Sequence, residues 1–289
     1  ALGRRGGVVV TEYTENGQRL ASIANGWMRL VVAPDYNGAM VALEHGGLNH
    51  LHSSFPTPRP LAWSTPWHGG VSPVRFARDE EDPEPGNPGR MSGEAWSWQP
   101  LHARRGAAIP WAGVRVSSVL SRQSVRGLRL EMDYLTVGQS NVLAVVARLV
   151  NLTSAPFSGI LVTQAYVAPG GDPAAGVLLD LHSRHVRRSR DLIWGAASGR
   201  WAGVAHSESG QCLALIGGGV NGQVSAVDYG MDGAHLFNTA LPVLPPFGTY
   251  KVVSYLVLAA DAAQARLYRW LEHMQWRARR SGVVSQAGW

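Results

Sequence analysis

The chain has 289 residues, enough for one large β domain or two ordinary domains, and only 16% of them are charged. Its 34 Gly and 17 Pro indicate an ordered protein rich in turns and exclude long disordered stretches. The formal charge of +6 does not predict nucleic-acid binding, because the arginines are scattered. The two dense basic runs, Arg184–Arg190 and Arg277–Arg280, carry no interleaved aromatic residues of the kind that stack on bases.

The cysteine and histidine content limits the chemistry further. Cys212 is the only cysteine, so an intramolecular disulfide and a thiolate metal site are both excluded. The pairs His50/His52 and His182/His185 lack a third ligand at metal spacing, and we predict no metal and no cofactor. No run approaches the roughly 18 apolar residues of a membrane span, and no signal-peptide pattern opens the chain. Because the first residue is not Met, the compartment stays open between the bacterial cytoplasm and secretion.

Short β-rich runs bounded by turn residues predict strands along most of the chain. No helical segment lies between these runs. The sequence also lacks a repeat of roughly 20–50 residues, which argues against a propeller or solenoid. The sequence therefore predicts one antiparallel all-β assembly. The predicted strands are Val8–Tyr13, Arg19–Ala24, Trp27–Ala33, Ala39–Glu44, Val114–Ser121, Leu128–Val137, Val142–Leu149, Gly159–Val167, Gly176–Asp180, Asp191–Ala196, Trp201–His206, Cys212–Gly217, Gln223–Asp228, His235–Ala240 and Thr249–Ala259.

The end of the chain has a different pattern. Asp261 is a plausible N-cap, and apolar residues recur at helical spacing through Ala262–Arg279. The expected apolar stripe consists of Leu267, Trp270, Leu271 and Met274. We predict a single β domain over residues 1–260 and a C-terminal helix and tail over 261–289. This helix is expected to contact a partner module or a second copy of the chain.

One irregular segment, Pro60–Pro73, combines two indoles, an imidazole and a Gly-Gly pair. Its prolines and the Gly69-Gly70 pair predict a shaped loop with positive φ. A second aromatic cluster, Glu94–Pro100, contains Trp96 and Trp98. Indole faces beside His, Glu and Gln suit a sugar, because a ring face stacks on C–H groups while polar groups bind hydroxyls. The alternative is that these tryptophans cover the core of a large sheet.

Hydrolytic chemistry has a weaker basis in the sequence. The chain lacks the motifs of nucleophilic hydrolases, and Gly217–Gly219 is not followed by a helix as a phosphate loop would be. Glycosidases need two carboxylates across the scissile bond, and Glu94 is the best placed candidate because it lies beside Trp96 and Trp98. The sequence alone does not pair it with a second carboxylate.

Four stretches in order resemble the galactose-mutarotase-like supersandwich, the fold of aldose 1-epimerases and glucose-6-phosphate 1-epimerases. They are the entry strands Asn25–Glu44, the loop Thr65–Pro73, the strand and turn Val145–Pro156, and the closing Leu244–Leu258. The resemblance spans roughly Ala24 to Ala259. It implies an all-β fold, a large antiparallel β-supersandwich, to which this chain adds the predicted C-terminal α-helix. It also implies a sugar site on one face of the sandwich.

The sequence departs from that family where the epimerases carry their histidines. Gln164 stands where the resemblance places a catalytic His, and Met91–Trp96 lacks the His of the family's second loop. The family's Arg before Gly-Gly is replaced by His68. Glutamine does not exchange a proton near neutral pH, although its amide binds hydroxyl groups. These departures favour recognition of a sugar over epimerase chemistry.

We therefore expect a carbohydrate-binding supersandwich with a saccharide ligand, either an accessory domain or part of a carbohydrate-active protein. The first alternative is an aldose 1-epimerase whose catalytic groups would be His68 with Glu94 or Glu208. The second is a structural or assembly domain, because aromatic clusters also form interfaces. The expected sugar contacts are Trp67, Trp98 and Tyr166 by stacking and His68, Arg75, Glu94 and Gln164 by hydrogen bonds.

Overall fold

The fold is taken from a computed structural model of the chain. It describes residues 7–57, 59, 69–77, 94–103, 107–121, 125–181, 184–187, 193–196, 199–219, 222–228, 233–274 and 283–285. For strand residues 74–77, 180–181, 184–187, 193–196 and 283–285, only the backbone is described.

The described residues are dominated by antiparallel strands, as the alternating apolar pattern predicts. The strands are β1 Val9–Glu15, β2 Gln18–Ala24, β3 Arg29–Ala33, β4 Ala39–His45, β5 Leu48–Asn49, β6 Val71–Ala77, β7 Ser97–Ala103, β8 Ala112–Val119, β9 Leu128–Thr136, β10 Val142–Asn151, β11 Phe157–Val167, β12 Gly176–Leu181, β13 Arg184–Arg187, β14 Ile193–Ala196, β15 Trp201–His206, β16 Cys212–Gly218, β17 Gln223–Asp228, β18 Ala234–Ala240, β19 Val243–Leu244, β20 Thr249–Ala259 and β21 Val283–Ser285.

These strands form two large sheets. The first sheet has the order β1-β2-β3-β4-β6-β11-β18-β17-β14, with β5 paired to β4 and β19 to β11. The second has the order β13-β12-β15-β16-β20-β10-β9-β8-β7-β21. Strand β10 lies between β9 and β20, so the apolar run beginning at Val142 forms a central strand. The prediction of an all-β supersandwich is confirmed.

The main core lies between the two sheets and draws on both, for example Leu30 and Met40 from the first and Leu130 and Val145 from the second. Tyr134 on β9 is fully buried, and its hydroxyl lies 2.8 Å from the carbonyl oxygen of Gly38. Burial raises the pKa of Tyr134, so the hydroxyl stays protonated and donates across the core. This hydrogen bond joins the second sheet to the first.

The outer faces of the two sheets differ. On the second sheet, the C-terminal segment packs over an apolar cluster that contains Tyr255, Ala265 and Leu271. On the first sheet, a smaller apolar cluster under β2, β3 and β4 includes Val31 and Val41. Further along the same face, strands β11 and β18 carry the buried polar and aromatic residues Gln164, Tyr166 and His235.

The predicted loop Pro60–Pro73 is wrong at its end, because β6 begins at Val71 and includes Pro73. Strand β6 pairs with β4 only at Met40–Val71, so Pro73 is paired on one side only, with Thr163 of β11. Proline is tolerated there because its missing N–H removes no ladder hydrogen bond. The positive φ predicted for Gly69 and Gly70 is confirmed, at 78° and 79°.

The predicted helix Ala262–Arg279 is also wrong in length. Helix α1 covers only Ala262–Arg266, and a separate 3₁₀ turn covers Arg269–His273. Asp261 is the N-cap as predicted, and its side chain accepts from the Gln264 N–H at 2.7 Å.

The expected apolar stripe of this helix is buried only in part. Leu271 is buried, whereas Leu267 and Trp270 are 74% and 57% exposed. The break between the α-helix and the 3₁₀ turn changes the periodicity that a continuous helix would give. None of the helices in the described ranges is long and apolar enough to cross a membrane.

Candidate functional site

The centre of the site is strand β11 on the first sheet. Leu161, Ala165 and Val167 belong to the core between the sheets. Because side chains alternate along a strand, Gln164 and Tyr166 lie on the outer face. Both are nearly buried, at 7% and 4% exposure. The strand therefore places an amide and a phenol side by side on one face.

A histidine from the neighbouring strand completes this group. Tyr166 pairs with His235 of β18, whose ring centroid lies 3.8 Å from that of Tyr166. Gln164 Nε2 lies 3.2 Å from His235 Nδ1. As the amide is placed, its nitrogen donates and His235 Nδ1 accepts. We call Gln164, Tyr166 and His235 the Gln164 cluster.

Strand β6 brings the end of the predicted loop, residues 69–73, to the same place. Ser72 pairs with Gln164, and the Tyr166 N–H donates to the Gly70 carbonyl oxygen at 2.9 Å. The backbone of Arg75 pairs with Leu161, which puts position 75 in the register of the core-facing residues. The side chain of Arg75 and the whole of Trp67 and His68 lie outside the described residues.

The other predicted site residues are not brought to the Gln164 cluster. Both carboxylate oxygens of Glu94 accept from the Ser121 N–H, at 2.9 and 3.1 Å, next to the second sheet. Trp98 lies on β7 of that sheet, and its indole N–H donates to Glu12 Oε1 at 3.3 Å. Glu208 is exposed in the turn between β15 and β16.

Trp96 is a core residue, as the alternative interpretation of the aromatic cluster holds. It is 7% exposed and belongs to the core between the sheets. A Cβ atom on Gly38 would lie 2.8 Å from the Trp96 ring, so this glycine is needed for the close approach of the ring. Trp96 therefore stabilises the sandwich.

A large cavity lies toward the β1 edge of the first sheet. It has a volume of about 1010 Å³, and its lining includes Tyr13, Trp27, Arg29, Glu44, His45 and Phe55. Ligand pockets in proteins commonly have volumes of roughly 300–1,000 Å³. Among the described residues, no group of three or more His, Cys, Asp or Glu is placed to hold a metal ion. We call this the Trp27 cavity.

The turn that carries Trp27 is held by Asn25, which is fully buried. Its side-chain amide donates to Thr136 Oγ1 at 2.8 Å, Val137 O at 2.9 Å and Ser140 O at 2.7 Å. Its oxygen accepts from the Trp27 and Met28 N–H groups, both at 2.9 Å. The backbone at Trp27 is therefore fixed by the fold itself.

Arg29 joins the polar groups of the cavity. It donates to Glu44 Oε2 at 2.7 Å, to the Tyr13 hydroxyl at 2.8 Å and to Ser22 Oγ at 3.1 Å. Burial opposes the charge of Arg29, but the hydrogen bond and charge of Glu44 outweigh it and raise the pKa of Arg29. Burial also raises the pKa of Tyr13, with the charge of Arg29 opposing, so the phenol is neutral.

His45 lines the same cavity and stacks on Trp27, with the ring centroids 3.8 Å apart and an interplanar angle of 13°. Its Nδ1 lies 2.8 Å from the Trp27 carbonyl oxygen, so Nδ1 carries the proton and donates. Behind it, His50 donates from Nε2 to the His45 carbonyl oxygen at 3.2 Å. His50 Nδ1 accepts from the Gly170 N–H at 3.1 Å, and burial lowers the pKa of His50.

Sequence reasoning misses His235 and the Trp27 cavity because both depend on contacts across strands. His235 is 71 residues from Gln164 in sequence. Arg29 and Glu44 are 15 residues apart and meet only through the β3–β4 register. The signal near Trp27 is the Asn25-Gly26 turn, which is followed by Trp27 and Met28 and then by Arg29 at the start of β3.

No protein-family model matches the sequence, and no curated protein sequence matches it. Solved structures do match. A TPR-domain containing protein from Parabacteroides distasonis has a TM-score of 0.62 and 12% identity, over 96% of this chain and 57% of that one. A galactose mutarotase-like protein from Clostridium acetobutylicum has a TM-score of 0.62 and 11% identity, over 87% of this chain and 98% of that one.

A galactose 1-epimerase from Lactobacillus acidophilus matches with a TM-score of 0.53 and 12% identity, over 88% of this chain and 98% of that one. At such identities the similarity shows the fold alone. The chain has the galactose-mutarotase-like fold, as the resemblance predicts. The chain spans 57% of the length of the TPR-domain protein.

Proposed function

We propose that the chain binds a saccharide on the outer face of its first sheet, with Gln164 and Tyr166 among the contacts. The observation that carries this proposal is the Gln164 cluster, in which Gln164 Nε2 lies 3.2 Å from His235 Nδ1 beside the Tyr166 ring. An amide, an imidazole and a phenol together donate to and accept from hydroxyls and offer a ring face.

Two further features support a binding role for this cluster. Burying polar groups costs free energy, so a sheet face that only needed packing would be expected to carry apolar residues there. The cluster also occupies the position where the resemblance places an epimerase histidine. The loop residues Trp67 and His68 precede Gly69-Gly70 and are expected to contribute. Arg75 is left out of the proposal, because its backbone pairs with the core-facing Leu161. Glu94 and Trp98 are left out of the proposal, because Trp98 lies on the second sheet and Glu94 binds the Ser121 N–H next to it.

Calorimetric titration with cellotetraose, maltotetraose and galactotetraose tests the proposal. We expect one of these probes to bind and Gln164→Leu to weaken it about tenfold, since the amide loses its hydrogen bonds to the ligand. Gln223→Leu, an exposed glutamine on β17, is the matched control and should leave the affinity unchanged. If no probe binds the wild-type chain, a structural or assembly role replaces this proposal.

An aldose 1-epimerase is the second candidate, and His235 is the observation that favours it. Its imidazole lies against Gln164, so a proton-exchanging group stands beside the position of the family's histidine. NMR of anomer interconversion in glucose and galactose tests this activity. Acceleration that His235→Gln abolishes and Glu208→Gln leaves intact would establish His235 as the acid–base group. No acceleration over buffer would leave binding as the function.

A further inference from the structure

We infer that the Trp27 cavity is a second saccharide-binding site that holds one neutral pyranose unit. Arg29 on β3 and Gln164 on β11 are three strand spacings apart in the first sheet, about 14 Å at roughly 4.8 Å per strand. The cavity is therefore separate from the Gln164 cluster but on the same face. The ligand class rests on the proposed function, whereas the site rests on its own residues.

The cavity is preorganised for a ligand. Asn25 holds the Trp27 turn with five hydrogen bonds, and Trp27 is stacked on His45. The His45 tautomer is also fixed, because Nδ1 donates to the Trp27 carbonyl oxygen. A neutral ring then presents Nε2 as an acceptor. Side chains that are already ordered reduce the entropy lost on binding, which favours a small ligand.

The polar groups suit a pair of neighbouring hydroxyls. Arg29 has five N–H groups and uses three in the contacts with Glu44, Tyr13 and Ser22. Glu44 accepts through Oε2, and within the described residues its Oε1 has no hydrogen bond. A hydroxyl both donates and accepts, so adjacent guanidinium and carboxylate groups bind two hydroxyls in complementary ways.

The charge and the aromatic lining select among ligand classes. Glu15 and Glu44 line the cavity together with Arg29, so the acidic groups exceed the guanidinium by one. This balance disfavours phosphate and other anions. Trp27, Tyr13 and Phe55 provide apolar contacts for the C–H groups of a sugar ring. A neutral pyranose satisfies both the polar and the apolar parts of the lining.

The test uses the wild-type chain and the variants Trp27→Ala and Arg29→Gln, titrated with cellotetraose, maltotetraose and galactotetraose. We expect each variant to weaken the bound probe about tenfold or more. Trp270→Ala is the matched control, because Trp270 is an exposed tryptophan of the C-terminal segment, and it should leave the affinity unchanged. NMR of the indole N–H signals, with that of Trp27 assigned from its loss in Trp27→Phe, should show a shift on binding.

The outcomes separate this inference from the proposed function. Binding lost in Gln164→Leu but unchanged in Trp27→Ala and Arg29→Gln overturns the second site and leaves the proposed function standing. Binding lost only in the Trp27 and Arg29 variants supports the cavity and removes the Gln164 cluster. No binding of any probe removes both. If Trp27→Ala fails to fold, Arg29→Gln decides, because the Arg29–Glu44 pair is half-exposed.

Discussion

The Gln164 cluster and the Trp27 cavity lie on the same sheet face but differ in exposure. Gln164, Tyr166 and His235 are each less than a tenth exposed. In the cavity, the side chains of Arg29 and Glu44 are 39% and 29% exposed. In the buried cluster, Gln164 and His235 share a hydrogen bond away from solvent, whereas the polar groups in the cavity also reach solvent. Equivalent chemistry therefore has different consequences for stability in the two places.

The largest expected difference concerns the aromatic rings. Tyr166→Ala should lower the free energy of unfolding by about 3–5 kcal/mol, because it removes a nearly buried ring that contacts His235. Tyr13→Ala in the cavity should cost only about 1 kcal/mol, because Tyr13 is half-buried. Urea unfolding of both variants measures the difference. Equal losses would mean that the two regions do not differ in the way proposed.

A smaller effect is expected from the amide of the cluster. Gln164→Leu should cost about 1–3 kcal/mol, because the buried Nδ1 of His235 loses its donor. The exposed control Gln223→Leu should change the free energy of unfolding by no more than about 0.5 kcal/mol. Urea unfolding checks both values. If Gln164→Leu left the free energy of unfolding unchanged, the hydrogen bond would contribute nothing net to the stability of the fold.

The buried support behind the cavity predicts a pH dependence. Burial lowers the pKa of His50 in the folded chain. As the pH falls, His50 is therefore protonated in the unfolded chain before it is protonated in the folded chain. The contribution of His50 to stability is complete above the pKa of about 6.5 that the residue has in the unfolded chain. It is lost as the pH falls toward the lower pKa in the folded chain, by at most ~1.4 kcal/mol per pH unit. His50→Gln should flatten this part of the curve.

Unfolding experiments between neutral and mildly acidic pH measure that dependence. The matched comparison is the difference between wild type and His50→Gln at each pH, which cancels the other titrating groups. A difference that stayed constant with pH would remove His50 as a cause.

The smallest effect is expected at the open ion pair. Arg29→Gln should change the free energy of unfolding by less than about 1 kcal/mol, because partly exposed ion pairs contribute little. Thermal or urea unfolding checks this value. A loss as large as that of Tyr166→Ala would show that Arg29 supports the fold, and its effect on sugar binding would then be structural.

Most of the fold is predictable because its strands alternate or run apolar between turn residues. Strand β10 is an example, since its continuous apolar residues can only be buried on both faces. Strand β6 is not predictable in the same way, because Pro73 argues against a strand unless one side is unpaired. The length of the C-terminal helix fails because apolar spacing does not reveal the break after Arg266.

The site is predictable only where it follows strand position. Gln164 and Tyr166 are two residues apart on one strand, so their side chains share a face and the sequence places them together. The contact of Gln164 with His235 depends on the register of β11 and β18, which no local pattern states. The tryptophan neighbours of Glu94 in the sequence favour a sugar contact, yet its carboxylate accepts a hydrogen bond from the Ser121 N–H. Sequence proximity does not reveal such backbone partners.

A crystal structure of the chain with a bound tetrasaccharide tests the central claim most directly. The account predicts that the sugar lies on the outer face of the first sheet, with one unit at Trp27 and Arg29 and another near Gln164 and Tyr166. A sugar bound only to the second sheet, for example at Trp98, would contradict it.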